Sequence, residues 1–179
     1  MFYISEIYNT PPSEFKSPLQ ESVYKTLKKL RIPFERVDTD EAITMDDCVA
    51  INEKLNMKMV KTLFLCDRKK TSFYLFVTVG DKSFRSADFS AALGVSRVSF
   101  APSELMWEIL GTKIGAATVF SVLLPGARDV EIVFDKDVAG EEWYGCSDGT
   151  TTGYMKIKTD DILHRVLPAV RHTATVIEV

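Results

Sequence analysis

Two apolar runs, "TLFLC" at 62–66 and "FYLFVTV" at 73–79, flank the charged, turn-like "DRKKTS". Both are rich in residues that suit strands, so the pair predicts a buried hairpin. A buried hairpin needs other elements to cover it, and the flanking sequence offers them. Val23, Leu27 and Leu30 share one face of a predicted helix, which Pro33 separates from a short strand through Phe34 and Val37. Thr44, with Asp46 and Asp47 behind it, reads as the cap of a second helix reaching Leu55. "SADFSAAL" and "PSELMWEIL" read as helices, with Ser86 as a cap, Pro102 at a first helical position, and Gly94 and Gly111 just past the ends. "SRVSF" between them reads as a short strand. "ATVFSVLL" and "VEIVFD" around "PGARD" predict a second hairpin, and residues 135–150 an irregular segment. "GYMKIK" then predicts a strand, Thr159 with Asp160 and Asp161 the start of a last helix, and "TATVIEV" a final strand. The expectation is an α/β fold: a single domain, residues 19–179, with a mixed β-sheet covered by helices. Residues 1–18, with three prolines, predict an N-terminal arm.

Composition excludes several classes. No apolar run approaches the roughly 20 residues of a membrane span, and the opening "MFYISEIYNTPPSEFKSP" has no signal-peptide pattern, so no membrane association and a cytoplasmic location are expected. A net charge of -3 argues against broad electrostatic wrapping of nucleic acid. Lys54, Lys58, Lys61, Arg68, Lys69 and Lys70 nevertheless crowd into a short stretch, either as a local phosphate-facing patch or as a solvated surface. Cys48, Cys66 and Cys146 share no CxxC spacing and the histidines are His164 and His172, so neither a disulfide framework nor a metal site is supported and no cofactor is expected. Cys66 reads as an inert buried thiol; Cys146, in an apparent polar loop, is the one candidate for reactivity.

P-loop, GxGxxG, HExxH and GxSxG patterns are absent. Adjacent carboxylates at 46–47, 141–142 and 160–161 point apart on a helix or strand, which does not suit acid–base pairing. What remains is Lys61 at the mouth of an apolar strand, the glycines of "GTKIGAATVFS" and "YGCSDGTTTGY", and the hydroxyls of Thr150, Thr151 and Thr152. Composition alone makes Lys61 a soluble strand-end charge and each glycine a turn-maker.

The succession of segments carries more than any one residue. "LKKLRIPFERV", the "KTLFLCD" strand, "FYLFVTVGDK", "LGVSRVSFAPSELMWEILG", "GAATVFSVL" and "VEIVFDKDV", followed by "GYMKIK" and "TDDILHRVL", resemble in order the YbaK/ProX family of aminoacyl-tRNA deacylases, whose domain is also inserted in bacterial prolyl-tRNA synthetases. The resemblance covers about residues 20–165 and implies the YbaK/prolyl-tRNA synthetase-associated domain fold. In that family the lysine before the "LFL" strand lies close to the terminal adenosine and phosphate, which implies that role for Lys61. The family's GxxxP loop falls on Gly115, Ala116, Ala117, Thr118 and Val119, with Val119 replacing the common proline. Thr62 stands where asparagine is frequent in the alanine-specific branch, and Ser147 falls near the family's late-loop histidine.

The resemblance implies a trans-editing hydrolase, with Lys61 and Gly115 as catalytic positions and Thr62, Ala116, Ala117, Thr118, Val119 and Ser147 around the substrate. Its implied partner is a tRNA acceptor end with its amino acid, with transient association with an aminoacyl-tRNA synthetase. Ala-tRNA(Pro), or a similarly small amino acid, is the implied substrate. The alternatives are a non-catalytic aminoacyl-tRNA or amino-acid binding module and a Cys-tRNA deacylase. An activated ester needs little acid–base machinery, so orientation and backbone donors can suffice.

Overall fold

A computed structural model describes residues 1–42 and 44–179. Helix α1, Pro18–Leu30, starts where the Ser17 hydroxyl accepts from the Gln20 amide and ends on Arg31 in the left-handed region. Strand β1, Glu35–Asp38, follows, and then α2, Met45–Leu55, whose Thr44 and Asp47 form a reciprocal capping box. The expected hairpin is present as β2, Val60–Asp67, and β3, Phe73–Val79, paired antiparallel with Lys61 opposite Thr78. Next come α3, Ser86–Leu93, β4, Val98–Phe100, and α4, Ser103–Leu105, which runs on as a π turn through Leu110. Arg85 rather than Ser86 occupies the cap position of α3, and Pro102 that of α4; neither supplies a side-chain cap.

Beyond Thr118 the structure departs from the expected second hairpin. "VFSVL" is a 3-10 helix, Val119–Leu123, and a shorter one follows at Pro125–Ala127. A run buried on every side has no period that separates strand from helix. Local hydrogen bonds decide it, with the Thr118 hydroxyl accepting from the Phe120 amide and the Ser121 hydroxyl donating to the Leu110 carbonyl. Strand β5, Glu131–Asp135, therefore pairs in parallel with β3 instead of turning back on its neighbour. The stretch expected to be irregular contains the short helix α5, Lys136–Ala139, and a strand, β6, Trp143–Ser147. Strand β7, Gly153–Lys158, helix α6, Thr159–Asp161, with its π continuation Ile162–Val166 and a last turn Leu167–Ala169, and β8, Ala174–Ile177, complete the chain.

The strands form two sheets, where one had been expected: β1-β7-β6, antiparallel, and β4-β2-β3-β5-β8, mixed. They meet where Met59 bridges Gly145, and Gly145 is required there, because a Cβ would fall 2.6 Å from the Met57 sulfur and 2.9 Å from the Lys58 carbonyl. The main core lies between the sheets and α1, with Leu75 and Val77 of β3 facing Tyr144, Met155 and Val23. The alternate residues Tyr74 and Phe76 face a second core under Phe89 of α3. A third joins α2 to β1 and β7 through Ile51, Val37 and Tyr154. The segment before α1 lies along β1: Tyr8 and Arg36 exchange backbone hydrogen bonds, and the Arg36 guanidinium sits 4.8 Å over the Tyr8 ring and donates to the Thr10 carbonyl.

Cys146 is not in a polar loop; it is buried in β6, where burial and then the Asp148 charge push its thiol far above the ordinary cysteine value. The basic cluster also divides. Lys61 opens β2, whereas Arg68, Lys69 and Lys70 form the turn at its other end, about 20 Å away at the rise of a strand. Among the described residues no helix is long and apolar enough to cross a membrane.

Candidate functional site

Neighbouring strand residues face opposite sides of a sheet, and at the start of β2 this separates two sets of polar groups. Lys61 lies on the side of Leu63 and Leu65, over the second core, while Thr62 and Phe64 face the main core. Lys61 is half-buried and its ammonium donates to the carbonyl of Lys82 in the loop after β3. An ammonium has three donors, so this contact engages one of them.

Lys82 is itself held from below. Its ammonium donates to Asp135 at 2.7 Å, to Asp137 at 2.8 Å and to the Val179 carbonyl at 3.1 Å, and the Thr78 hydroxyl donates to Asp135 at 2.6 Å. Asp135 is 1% exposed. Burial works against its charge, but hydrogen bonds from Lys82, Thr78 and the Asp137 amide together outweigh it and hold the carboxyl below its ordinary range. The same two carboxylates hold the Lys82 ammonium above its usual value. Thr78 and Lys82 also line a cavity of about 180 Å³, walled by Phe76, Phe84, Arg85 and Phe89.

On the other side of the sheet lies the glycine loop. Gly115 is exposed with φ +88°, in the left-handed region, and a Cβ there would meet nothing within 4 Å. The amides of Gly115 and Ala117 reach no acceptor among the described residues. Ala116 is buried, and its carbonyl accepts from the Ser147 hydroxyl at 3.2 Å, which in turn accepts from the Gly149 amide at 3.4 Å. Thr118 is fully buried and lies against the Cys146 thiol, and Val119 packs into the main core. Thr62 is half-buried and acts on the Tyr144 hydroxyl, which is fully buried and completes no hydrogen bond of good geometry among the described residues. Burial drives that phenol well above its ordinary value.

The structure thus brings Ala116, Thr118 and Ser147 together and reaches Thr62 through the buried face of β6. It places Lys61 on the opposite face of β2 from Thr62, with its ammonium on the Lys82 carbonyl. Thr150, Thr151 and Thr152 engage Asp148, Glu41 and Lys16. His164 is exposed on the last helix, and His172 lines a separate cavity of about 440 Å³ with Arg128 and Arg171.

Sequence reasoning passed over Lys82, Asp135, Tyr144 and Asp148. The first two carried a usable signal, since each is a charge set within two or three residues of the end of a buried strand. Tyr144 carried none, because "YGCS" is buried at every position and shows no alternation.

Comparison with known proteins bears on this geometry. The family model for the aminoacyl-tRNA editing domain matches residues 39–164. The chain is similar to "Prolyl-tRNA editing protein ProX" of Acetoanaerobium sticklandii, 26% identical over 159 residues, covering 89% of this chain and 96% of that one. It is also similar to prolyl-tRNA synthetase associated domain-containing protein 1 of Danio rerio, 26% identical with 89% and 86% covered, and of Mus musculus, 30% identical with 66% and 71% covered. Among solved structures, that of hypothetical protein APE2540 superposes with TM-score 0.68 at 17% identity over 87% of this chain and 98% of that one. A candidate trans-editing enzyme for prolyl tRNA synthetase superposes with TM-score 0.61 at 16% identity over 92% and 99%.

Proposed function

Because the chain belongs to the aminoacyl-tRNA editing domain family, we propose that it is an ester hydrolase that removes a mischarged small amino acid from tRNA in trans, with Ala-tRNA(Pro) as its first substrate. The observation that carries this reading is the extent of the family match, which contains Lys61, the whole glycine loop and Ser147. Similarity to ProX over nearly the full length of both chains supports tRNA(Pro) as the carrier. The partner is the acceptor end, with a synthetase in transient association.

In this reading Lys61 binds the terminal phosphate or ribose, its ammonium already fixed by the Lys82 carbonyl. The free amides of Gly115 and Ala117 face the ester carbonyl, where donors placed for the developing oxyanion have their largest effect. Ser147 holds the loop by its bond to the Ala116 carbonyl, and Thr62 with Tyr144 lies where the amino-acid side chain would be sorted. Water attacks the ester carbon, the bond to the ribose oxygen breaks, and the neighbouring ribose hydroxyl assists, so no protein nucleophile is needed.

Gly115→Val should fold normally, because the space around the missing Cβ is open. A β-branched residue at φ +88° costs about 1–3 kcal/mol in backbone strain, so the loop should relax away and turnover should fall at least tenfold. Wild-type turnover in a folded Gly115→Val protein would remove the loop from the chemistry.

The reading is tested on tRNAs charged with alanine, cysteine, serine and 2-aminobutyrate. Accelerated hydrolysis of a small amino acid supports it, and preference for cysteine would make the protein a Cys-tRNA deacylase. Tight binding of the charged tRNAs with no hydrolysis would establish a binding module instead, the reading favoured by Val119 and Ser147 at the two departures from the family loop.

A further inference from the structure

We infer that Lys82 and Asp135 act as a positioning pair for Lys61; the functional part of this inference rests on the reading of Lys61 as the group that holds the acceptor end. Lys82 looks at first like a second substrate-facing cation beside the first, but its ammonium is already used in full. Its three donors meet three acceptors, on Asp135, Asp137 and Val179. What Lys82 offers outward is its backbone carbonyl, and the Lys61 ammonium occupies it.

Asp135 is equally committed. One oxygen accepts from Lys82 and Thr78, and the other from the Asp137 amide at 2.9 Å. Taking a carboxylate and an ammonium out of water is costly unless the pair is well placed and its remaining groups are satisfied, and here both conditions are met. The pair fixes a place in the loop that the surrounding sequence does not, because Gly80, Asp81 and Ser83 are polar or flexible and bury no apolar side chain. Apart from that pair, the Lys82 amide donates to the Val79 carbonyl of β3 at 3.1 Å.

Thr78 closes the arrangement, since it is the cross-strand neighbour of Lys61 and donates to the same carboxylate oxygen as Lys82. One buried carboxylate at the end of β5 thereby sets both the strand partner of Lys61 and the carbonyl that receives its ammonium. Without that carbonyl, a four-carbon side chain at a strand mouth would sample many rotamers, and the acceptor end would meet a diffuse charge.

The test is a double-mutant cycle with an independent spectroscopic readout. Binding is measured to a tRNA minihelix whose 3′ end carries alanine through a non-hydrolysable amide, using wild type, Lys82→Met, Lys61→Ala and the double variant. Lys82→Met should weaken binding roughly tenfold or more, as displacement of a positioned group does. In the Lys61→Ala background the same change should matter by less than about twofold, because Lys82 has nothing left to position.

In protein labelled at lysine Cε, the two Hε signals of Lys61, identified by their loss in Lys61→Ala, should be distinct in wild type and merge in Lys82→Met. Lys82→Arg should restore part of the separation. If Lys82→Met disturbs the fold, Asp137→Asn, at a largely exposed carboxylate, should move the same signals in the same direction. Unchanged Lys61 signals in Lys82→Met, or an undiminished binding loss in the double variant, would overturn the inference. Merged signals together with a Lys61→Ala protein that binds like wild type would uphold the positioning and instead defeat the role given to Lys61.

Discussion

Lys61→Ala is expected to lower the rate of Ala-tRNA(Pro) hydrolysis by roughly 100- to 1000-fold, the usual effect of removing one preorganised charge donor from a reaction centre. The fold should tolerate the change. Lys61 is half-buried, makes no ion pair among the described residues and contributes one bond to a carbonyl that can be solvated in its absence. A loss within about 0.5 kcal/mol would move the thermal midpoint by no more than about 2 °C for a chain of this size. Lys61→Arg should not rescue it, because a planar guanidinium cannot take the place of an ammonium seated on a single carbonyl. Rate and melting temperature measured on the same preparations check both halves, and a folded Lys61→Ala protein that hydrolyses normally would remove Lys61 from the mechanism.

The second large effect concerns stability. Asp148 is 1% exposed, and its carboxylate is held by neutral donors: Gln20 at 2.9 Å, the Tyr24 hydroxyl at 2.8 Å, and the hydroxyl and amide of Thr150 at 2.7 and 3.2 Å. These bonds fasten α1 to the turn between β6 and β7, next to Ser147. Asp148→Ala would leave the Gln20 amide and the Tyr24 hydroxyl buried without an acceptor. At about 1–3 kcal/mol for each orphaned group, the expected loss is about 3–5 kcal/mol. That corresponds to a fall in thermal midpoint of roughly 6–20 °C. Tyr24→Phe, which removes one donor and leaves the carboxylate otherwise satisfied, should cost only about 1 kcal/mol. Thermal unfolding of the two variants checks the order, and near-equal losses would show that the carboxylate is not the fastening point.

The elements legible in the sequence were those with a local signal. Thr44, with Asp46 and Asp47 in the first turn behind it, announced α2 as a cap, and the hairpin of β2 and β3 stood out as two apolar runs around a charged turn. "VFSVL" failed because a segment buried on all sides reads alike as strand or helix, and β6 was missed because its buried face has no alternation. The two sheets meet at the close approach of Met59 to Gly145, which no local pattern encodes.

The site shows the same division. Lys61 and Gly115 were nominated through the order of segments rather than their own surroundings, and the contact of Ser147 with the Ala116 carbonyl spans 31 residues. The carboxylate beneath Lys82 lies 53 residues from it in sequence, so its role emerges only once β3 and β5 are side by side.

The central claim is hydrolytic editing, and the most direct test follows Ala-tRNA(Pro) and Pro-tRNA(Pro) with the protein present at substoichiometric concentration. The proposed function predicts many turnovers on the alanyl ester and background decay of the prolyl ester. Decay of both at the rate seen without protein would contradict it.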